Sequence, residues 1–116
     1  MSLEAFAENG RFVPSRIATA LRTTLDEVAR TVGLGRDAVM RLDRIASPKT
    51  QKRLREMVEI LNRVEPRFGS SLIAYAWYRS EALAGFGGLT AMQLVREGHA
   101  EDVMEYIDAV DAGVHA

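Results

Sequence analysis

The feature that most constrains this chain of 116 residues is the helical spacing of its apolar side chains. Through most of the sequence they recur at intervals of three and four. This period places them on one face of an α-helix, whereas a half-buried strand alternates with a period of two. The longest such stripe comprises Leu54, Met57, Val58, Leu61 and Val64. We therefore predict an all-α fold in which one long helix carries this stripe and ends near Pro66.

Residues that start and stop helices divide the remaining sequence. Their side-chain oxygens can accept hydrogen bonds from the free N–H groups of a first helical turn. The predicted N-caps are Ser15, Thr24, Ser70 or Ser71, and Thr90, which forms a capping-box pattern with Gln93. Gly113 predicts the end of the last helix, because glycine favours the residue after a helix. Residues 1–14 read as a short helix stopped by Gly10, or as a frayed arm.

Residues 25–44 match the helix-turn-helix pattern. Ala29 is the small residue that this motif needs where its two helices cross, and Gly33, four positions later, supplies the positive φ of the turn. The apolar positions that should seal the unit are Val28, Val32, Leu34, Val39 and Leu42. We therefore predict a helix, a tight turn and a second helix that begins near Gly35.

The second helix of such a unit enters the major groove of DNA and reads base edges. Candidate DNA contacts on or after this helix are Arg36, Asp37, Met40, Arg41, Arg44, Lys49, Lys52 and Arg53, of which the last three would bind phosphates. Asp37 and Asp43 interrupt the basic surface. The alternative is therefore a helix-turn-helix scaffold that never touches DNA, or that binds it only within a larger complex.

Charge is distributed unevenly along the chain. Residues 11–67 contain 13 Lys/Arg against 7 Asp/Glu, whereas residues 68–116 contain 2 against 7. A basic half suits a polyanion, and an acidic half suits a protein partner with a cationic surface. The composition thus indicates two tasks for one chain.

Composition also excludes several kinds of chemistry. The chain has no cysteine, which excludes disulfides, cysteine-ligated zinc and cysteine nucleophiles and fits a reducing compartment. No apolar run approaches the roughly 20 residues of a membrane span, and the N-terminus lacks a signal-peptide pattern. We expect a cytoplasmic protein with no membrane contact. The only histidines, His99 and His115, are far apart, so we predict no metal site, no cofactor and no enzymatic activity.

Four segments of the second half follow one another in a specific order. They are residues 76–81, which contain Trp77, residues 86–91 with the Gly-Gly-x-Thr turn, residues 94–98 ending in a glycine, and residues 103–116. In this order and spacing, residues 68–116 resemble the toxin-binding domain of the Xre/MbcA/ParS-like antitoxins. The preceding region resembles the Xre-type helix-turn-helix that usually accompanies that domain.

The resemblance implies an antitoxin of a type II toxin–antitoxin pair. Its partner would typically be a RES-domain toxin, which consumes NAD⁺, and its C-terminal segment would cover the toxin's active site. With the toxin it would also repress its own operon. The implied toxin-binding residues are Trp77, Gly87, Gly88, Thr90, Glu101, Asp102, Gly113, Val114, His115 and Ala116. A stand-alone transcriptional regulator with an unrelated protein partner is the alternative, and Trp77 is equally a candidate for the core.

These observations predict three regions and an oligomer. The regions are an N-terminal arm or short helix at 1–14, an Xre-like helix-turn-helix domain at 15–67 and a helical toxin-binding domain at 68–116, packed together. Helix-turn-helix proteins usually read two half-sites, so we expect a homodimer or larger oligomer. The stripe from Leu54 to Leu61 is either its interface or part of the core. Residues 113–116 should form a free tail after the last helix.

Overall fold

The computed structural model describes residues 3–115, and the side chains of residues 5–113. A 3-10 helix, Leu3–Phe6, precedes a hairpin of β1 (Ala7–Glu8) and β2 (Arg11–Phe12). The helices are α1 (Pro14–Ala20), α2 (Leu25–Thr31), α3 (Arg36–Met40), α4 (Leu42–Ile45), α5 (Pro48–Phe68), α6 (Ser71–Ser80), α7 (Ala91–Arg96) and α8 (Ala100–His115). The prediction of an all-α fold is confirmed, because the described strands are only two residues long each.

The long helix α5 runs through the centre of the molecule. Ser47 accepts a hydrogen bond from the backbone N–H of Thr50, and Pro48 occupies the first helical position, where its missing N–H costs nothing. The helix packs against α4, α6, α7, α8 and the N-terminal hairpin. All five residues of the predicted apolar stripe are buried in one continuous core. The stripe is therefore core and is not available as a dimer interface.

The end of α5 differs from the prediction. Pro66 lies inside the helix, which continues to Phe68 and ends at Gly69 with a φ of 70°. A proline removes only one backbone hydrogen bond, and here it does so within the last turn. The left-handed Gly69, whose N–H donates to the carbonyl of Glu65, is what stops the helix. The predicted division at residue 67 thus falls in the last turn of a helix that contacts both halves of the chain, and it stays a prediction.

The N-terminal segment contains a hairpin that the helical pattern did not indicate. Asn9 and Gly10 both have positive φ, 52° and 78°, as a tight two-residue turn requires. Ser15 is not the N-cap of α1, because Val13 takes that place ahead of Pro14. Gln51 of α5 holds the hairpin: its amide exchanges two hydrogen bonds with the backbone of Phe12, at 2.8 and 3.0 Å.

Several caps of the remaining helices are as predicted. Thr24 accepts from the backbone N–H of Glu27, Ser70 caps α6, and Thr90 with Gln93 forms the complete capping box of α7. Each cap satisfies backbone N–H groups that have no partner within the helix. No helix within residues 3–115 is long and apolar enough to cross a membrane.

Candidate functional site

The turn between α2 and α3 has the predicted geometry. Gly33 has a φ of 73°, and Gly35 is the N-cap of α3. Of the residues expected to seal this unit, Val28, Val32 and Val39 are buried, and Leu34 is partly buried. Two helices therefore meet around a small residue, Ala29, and a left-handed glycine.

Leu42 contradicts the predicted packing, because it is 86% exposed. The single second helix predicted after Gly35 is also wrong. It is interrupted at Arg41, whose φ and ψ of −94° and 126° are extended, and a separate short helix, α4, begins at Leu42. The interruption changes the direction of the chain, so the helical period no longer returns Leu42 to the core.

The predicted base-reading residues all lie on the surface, but on two elements. Arg36, Asp37 and Met40 belong to α3, whereas Arg41 follows it and Arg44 lies on α4. Arg36 pairs with Asp26 at 3.3 Å and Arg41 with Asp43 at 3.6 Å. Exposed pairs of this kind are worth about 0–1 kcal/mol, so both guanidinium groups can exchange their partners for a phosphate or a base. Lys49 and Lys52 are likewise exposed.

Arg53 differs from the expectation of a phosphate contact. Its side chain is only 17% exposed. The Nη1 atom donates to three backbone carbonyls: those of Val32 at 3.1 Å, Val95 at 2.7 Å and Arg96 at 3.1 Å. These are carbonyls at the C-terminal ends of α2 and α7, where the last turn of a helix leaves carbonyls without intrahelical partners; that of Val95 also accepts from the N–H of Gly98 at 3.0 Å. Arg53 therefore joins two helix ends, and we remove it from the candidate DNA surface.

Tyr78 of α6 also binds the C-terminal end of α2, as Arg53 does. Its hydroxyl donates to the carbonyl of Thr31 at 2.7 Å in the buried interior. Burial raises the pKa of Tyr78 well above its ordinary value, so the hydroxyl keeps the proton it donates. The C-terminal end of α2 is thus held by side chains from α5 and α6. Sequence reasoning assigned Arg53 to a phosphate and did not give Tyr78 a role, since nothing in their local pattern shows which distant carbonyls they meet.

Gly33 is enclosed by Arg53 and Arg96, where the C-terminal ends of α2 and α7 meet. A Cβ atom at this position would lie 3.0 Å from the Cα of Arg96, 3.1 Å from Nη1 of Arg53 and 3.2 Å from the Cβ of Arg96. Glycine is therefore required at this position for two reasons, the positive φ and the close approach of α7.

Glu56 lies next to Arg53, and burial disfavours the negative charge of its carboxylate. Its Oε1 atom is buried without a hydrogen-bond partner and lies 3.9 Å from Nε of Arg53. Burial is the largest influence and raises the pKa of Glu56, although the charges of Lys52 and Arg53 oppose it. The ionised carboxylate consequently costs folding free energy near neutral pH.

Among the residues implied for toxin binding, Trp77 and Thr90 have structural roles. Trp77 is only 8% exposed and packs against Phe68 with ring centroids 6.2 Å apart. Thr90 is buried and serves as the N-cap of α7. The structure therefore favours the core interpretation of Trp77 over a partner anchor.

The loop at residues 83–89 displays the predicted glycines. Leu83 is buried, and hydrogen bonds join its backbone N–H to the carbonyl of Leu89 at 2.9 Å and its carbonyl to the N–H of Phe86 at 3.3 Å. Gly87 and Gly88 have φ values of 64° and 89° and open space where a side chain would be. The loop is thus closed at its base and accessible at its tip.

The last helix corrects the predicted tail. Gly113 does not end α8, which continues to His115, and its φ is not positive. Glycine lowers helix stability by about 1 kcal/mol relative to alanine but does not forbid a helix. Val114 and His115 belong to this helix by their backbone, while their side chains, and Ala116 as a whole, lie outside the described residues.

The acidic residues of α8 are spread along the whole helix. Glu101 and Asp102 lie in the first turn, so they are separated from Gly113 by about 17 Å of helix. Further along, Asp108 and Asp111 form ion pairs with Arg63 and Arg67 of α5. The basic half of the sequence therefore neutralises part of the acidic half.

Comparison with known proteins gives one match. Residues 54–113, just over half of the chain, match the family model described as the antitoxin Xre/MbcA/ParS C-terminal toxin-binding domain. The match begins inside α5 and includes α6, the loop at 83–89, α7 and most of α8. No curated protein and no solved structure matches the chain.

Proposed function

The chain belongs to the Xre/MbcA/ParS antitoxin family, and from this premise we propose that it neutralises a RES-type, NAD⁺-consuming toxin and represses its own operon. Family membership itself means a toxin-binding C-terminal domain and hence a cognate toxin as partner. The toxin type, the mode of inhibition and the DNA target are the parts that we add. Neutralisation by covering an active site requires no catalysis, so we propose a binding protein and not an enzyme, acting in the cytoplasm where its operator is.

The uncovered C-terminal end of α8 carries the proposal for toxin inhibition. Ala112 and Gly113 are exposed, and among the described residues no other element lies within 4 Å of the Cβ position at Gly113. An exposed helical end at this position can enter a cleft without unfolding any of the described core. We therefore propose that the inhibitory element is the last turn of α8, a helical end and not a free tail.

The charges of α8 also support docking of this helix at the toxin's cleft. An enzyme that binds a dinucleotide with two phosphates needs a cationic cleft. Asp108 and Asp111 are paired with arginines, so the acidic groups of α8 that can attract such a cleft are Glu101, Glu105 and Asp102, the last of which lies 3.8 Å from Nδ1 of His99. Exposed charges act mainly on the association rate. We propose that these three residues accelerate docking and that the helical end determines inhibition.

The α2–α3 unit carries the proposal for DNA binding. Its glycine turn, its buried valines and the exposed Arg36 and Arg41 support a helix-turn-helix role, although the second helix is short. Lys49 and Lys52 at the start of α5 extend the same basic surface. We propose that α3 enters the major groove and that the lysines bind phosphates.

The proposed homodimer requires a different surface from the stripe on α5. Leu42 is exposed and lines a groove with Phe12 and Ile45. We propose that this face meets a second copy of the chain. Light scattering at micromolar concentration should give a dimer for the wild type and a smaller species for L42E; a monomeric wild type would exclude the dimer.

Deleting residues 113–116 tests the inhibitory helical end. The truncated chain should fold and bind DNA as before, because the deletion begins at the exposed Gly113, beyond Ile107, the last buried residue of the described core. It should lose most of its protection against the toxin encoded in the adjacent reading frame. The matched control is E101Q/D102Q, which should slow association and reduce its salt dependence but leave full neutralisation at high expression.

Two results would contradict the proposal. If the truncated protein neutralises the toxin fully at equal expression, inhibition comes from another surface, such as the loop at 83–89. If the adjacent reading frame encodes no toxin, the chain is better described as a stand-alone regulator.

A further inference from the structure

Arg96 brings a positive charge from the toxin-binding domain to the helix-turn-helix. It is the last residue of α7, and its backbone lies where Arg53 links the C-terminal ends of α2 and α7. Its carbonyl accepts a hydrogen bond from Nη1 of Arg53 at 3.1 Å, and its Cα is close enough to exclude any side chain at Gly33. Residues far apart in sequence are therefore fixed side by side.

The side chain of Arg96 is exposed, and Arg96 lines a cleft of about 390 Å³. The other residues that line this cleft are Asp26, Ala29, Arg30, Gly33, Leu34 and Arg36. Three arginines and one aspartate thus line the cleft. The cleft lies directly beside the N-terminal end of α3, the element proposed to enter the major groove.

The other charges of the cleft already have partners. Arg30 forms two hydrogen bonds with Glu27, at 3.0 and 2.9 Å, and this pairing lowers the pKa of Glu27. Arg36 is paired with Asp26 at 3.3 Å. Within the part of the chain that the structure describes, the guanidinium of Arg96 forms no ion pair. An incoming anion can therefore bind the guanidinium of Arg96 without displacing a carboxylate.

We infer that Arg96 binds a backbone phosphate of the DNA held by α2 and α3, so that the toxin-binding domain contributes directly to DNA affinity. This inference rests on the proposed DNA binding. A guanidinium binds phosphate oxygens through two parallel N–H groups, and such contacts orient a protein on the duplex without reading its sequence. Arg36 lines the same cleft and supplies a second donor to the same strand when its exposed pair with Asp26 is exchanged for a phosphate.

The test compares DNA binding by the full-length wild type, R96Q, R96K, R63Q and R44Q, the last of which removes a proposed DNA contact on α4. R63Q is the matched control, because it removes the same charge from the α5–α8 face. Fluorescence anisotropy is measured with two duplexes of equal length, the segment upstream of the protein's own coding sequence and a scrambled version, from 50 to 200 mM salt. Thermal unfolding of each variant establishes that it is folded.

R96Q should weaken binding to both duplexes about three- to tenfold and reduce the slope of log K against log salt by about 0.9, as expected for one lost phosphate contact. R96K should recover most of the affinity, and R63Q should retain the wild-type slope. This pattern supports the inference, since a purely structural role of Arg96 would not be rescued by lysine with a restored salt slope.

Three outcomes would overturn it. If R96Q keeps the wild-type slope while R44Q weakens binding, the DNA proposal stands and Arg96 has no part in it. If R96Q binds DNA normally but fails to neutralise the toxin, Arg96 is a toxin contact. If the wild type binds neither duplex, both the inference and the proposed DNA binding fail.

Discussion

Two glycine-dependent turns of this protein serve opposite purposes. Gly33, between α2 and α3, and Gly87, in the loop at 83–89, have similar φ values of 73° and 64°. The space around them differs completely: a Cβ at Gly33 would lie 3.0 Å from the backbone of Arg96, whereas a Cβ at Gly87 would have nothing within 4 Å. The same backbone conformation is thus packed against α7 in one place and presented to solvent in the other.

The comparison shows how the two halves of the chain depend on each other. The turn at Gly33 is assembled from α2, α5, α6 and α7, so residues of the toxin-binding domain determine the shape of the proposed DNA-binding unit. The loop at 83–89 is closed mainly by its own backbone hydrogen bonds and by the contact of Phe86 with Tyr106. It can therefore contact a partner with little effect on the rest of the fold.

The largest effect is expected for G33A. Alanine at positive φ costs about 1–2 kcal/mol, and contact of its Cβ with the backbone of α7 adds about 1–3 kcal/mol. Urea unfolding should show a loss of about 2–5 kcal/mol, together with weakened DNA binding. The matched variant G87A should lose only the first amount, because its Cβ enters open space. Equal losses in the two variants would show that close packing at Gly33 is unimportant.

A smaller effect is expected for R53M. The substitution keeps most of the apolar side chain but leaves three carbonyls without their charged donor, and hydrogen bonds to charged groups contribute about 1.5–3 kcal/mol each on removal of a partner. Because neighbouring bonds from one guanidinium are not additive, we expect a total loss of about 2–4 kcal/mol. R55M, which alters an exposed arginine on the same helix, should change the unfolding free energy by less than about 0.5 kcal/mol. A similar stability for both variants would contradict the structural role of Arg53.

The smallest effect is expected for E56Q, and its sign is opposite. Because the pKa of Glu56 is raised in the folded state, the folded protein binds more protons than the unfolded chain between the two pKa values. The unfolding free energy of the wild type should therefore fall as the pH rises through this interval. E56Q should be slightly more stable than the wild type at pH 7 and should lack this part of the pH dependence. A wild type that instead gains stability with pH, relative to E56Q, would show that the attraction of Arg53 exceeds the cost of burial.

Much of the fold could be predicted from the sequence because helices and their caps depend on residues within about four positions of each other. Thr24, Ser70 and the Thr90–Gln93 pair cap the helices as predicted, and the apolar stripe of α5 is buried. The hairpin was also within reach, since Asn-Gly is a strong local turn signal that the helical pattern of the neighbouring segments obscured.

The candidate sites were predicted less completely, because exposure and pairing depend on distant elements. Nothing near Leu42 in sequence shows that the helix is interrupted at Arg41, and nothing near Trp77 shows that Phe68 covers it. Gly113 was interpreted as a helix end because glycine usually ends helices. Yet glycine costs a helix only about 1 kcal/mol relative to alanine, so a helix can also continue through it.

The sequence by itself determined the helical character, most of the caps, the glycine turn of the α2–α3 unit and the family, because each is encoded in local spacing or in a short ordered set of residues. The tertiary structure alone decided which charges are free. It assigned Arg53 to three carbonyls, Asp108 to Arg63 and Asp111 to Arg67, and left Arg96 exposed beside the turn. The physical reason is that the partner of a charge depends on how helices pack, and sequence spacing does not record the distance between residues of different helices.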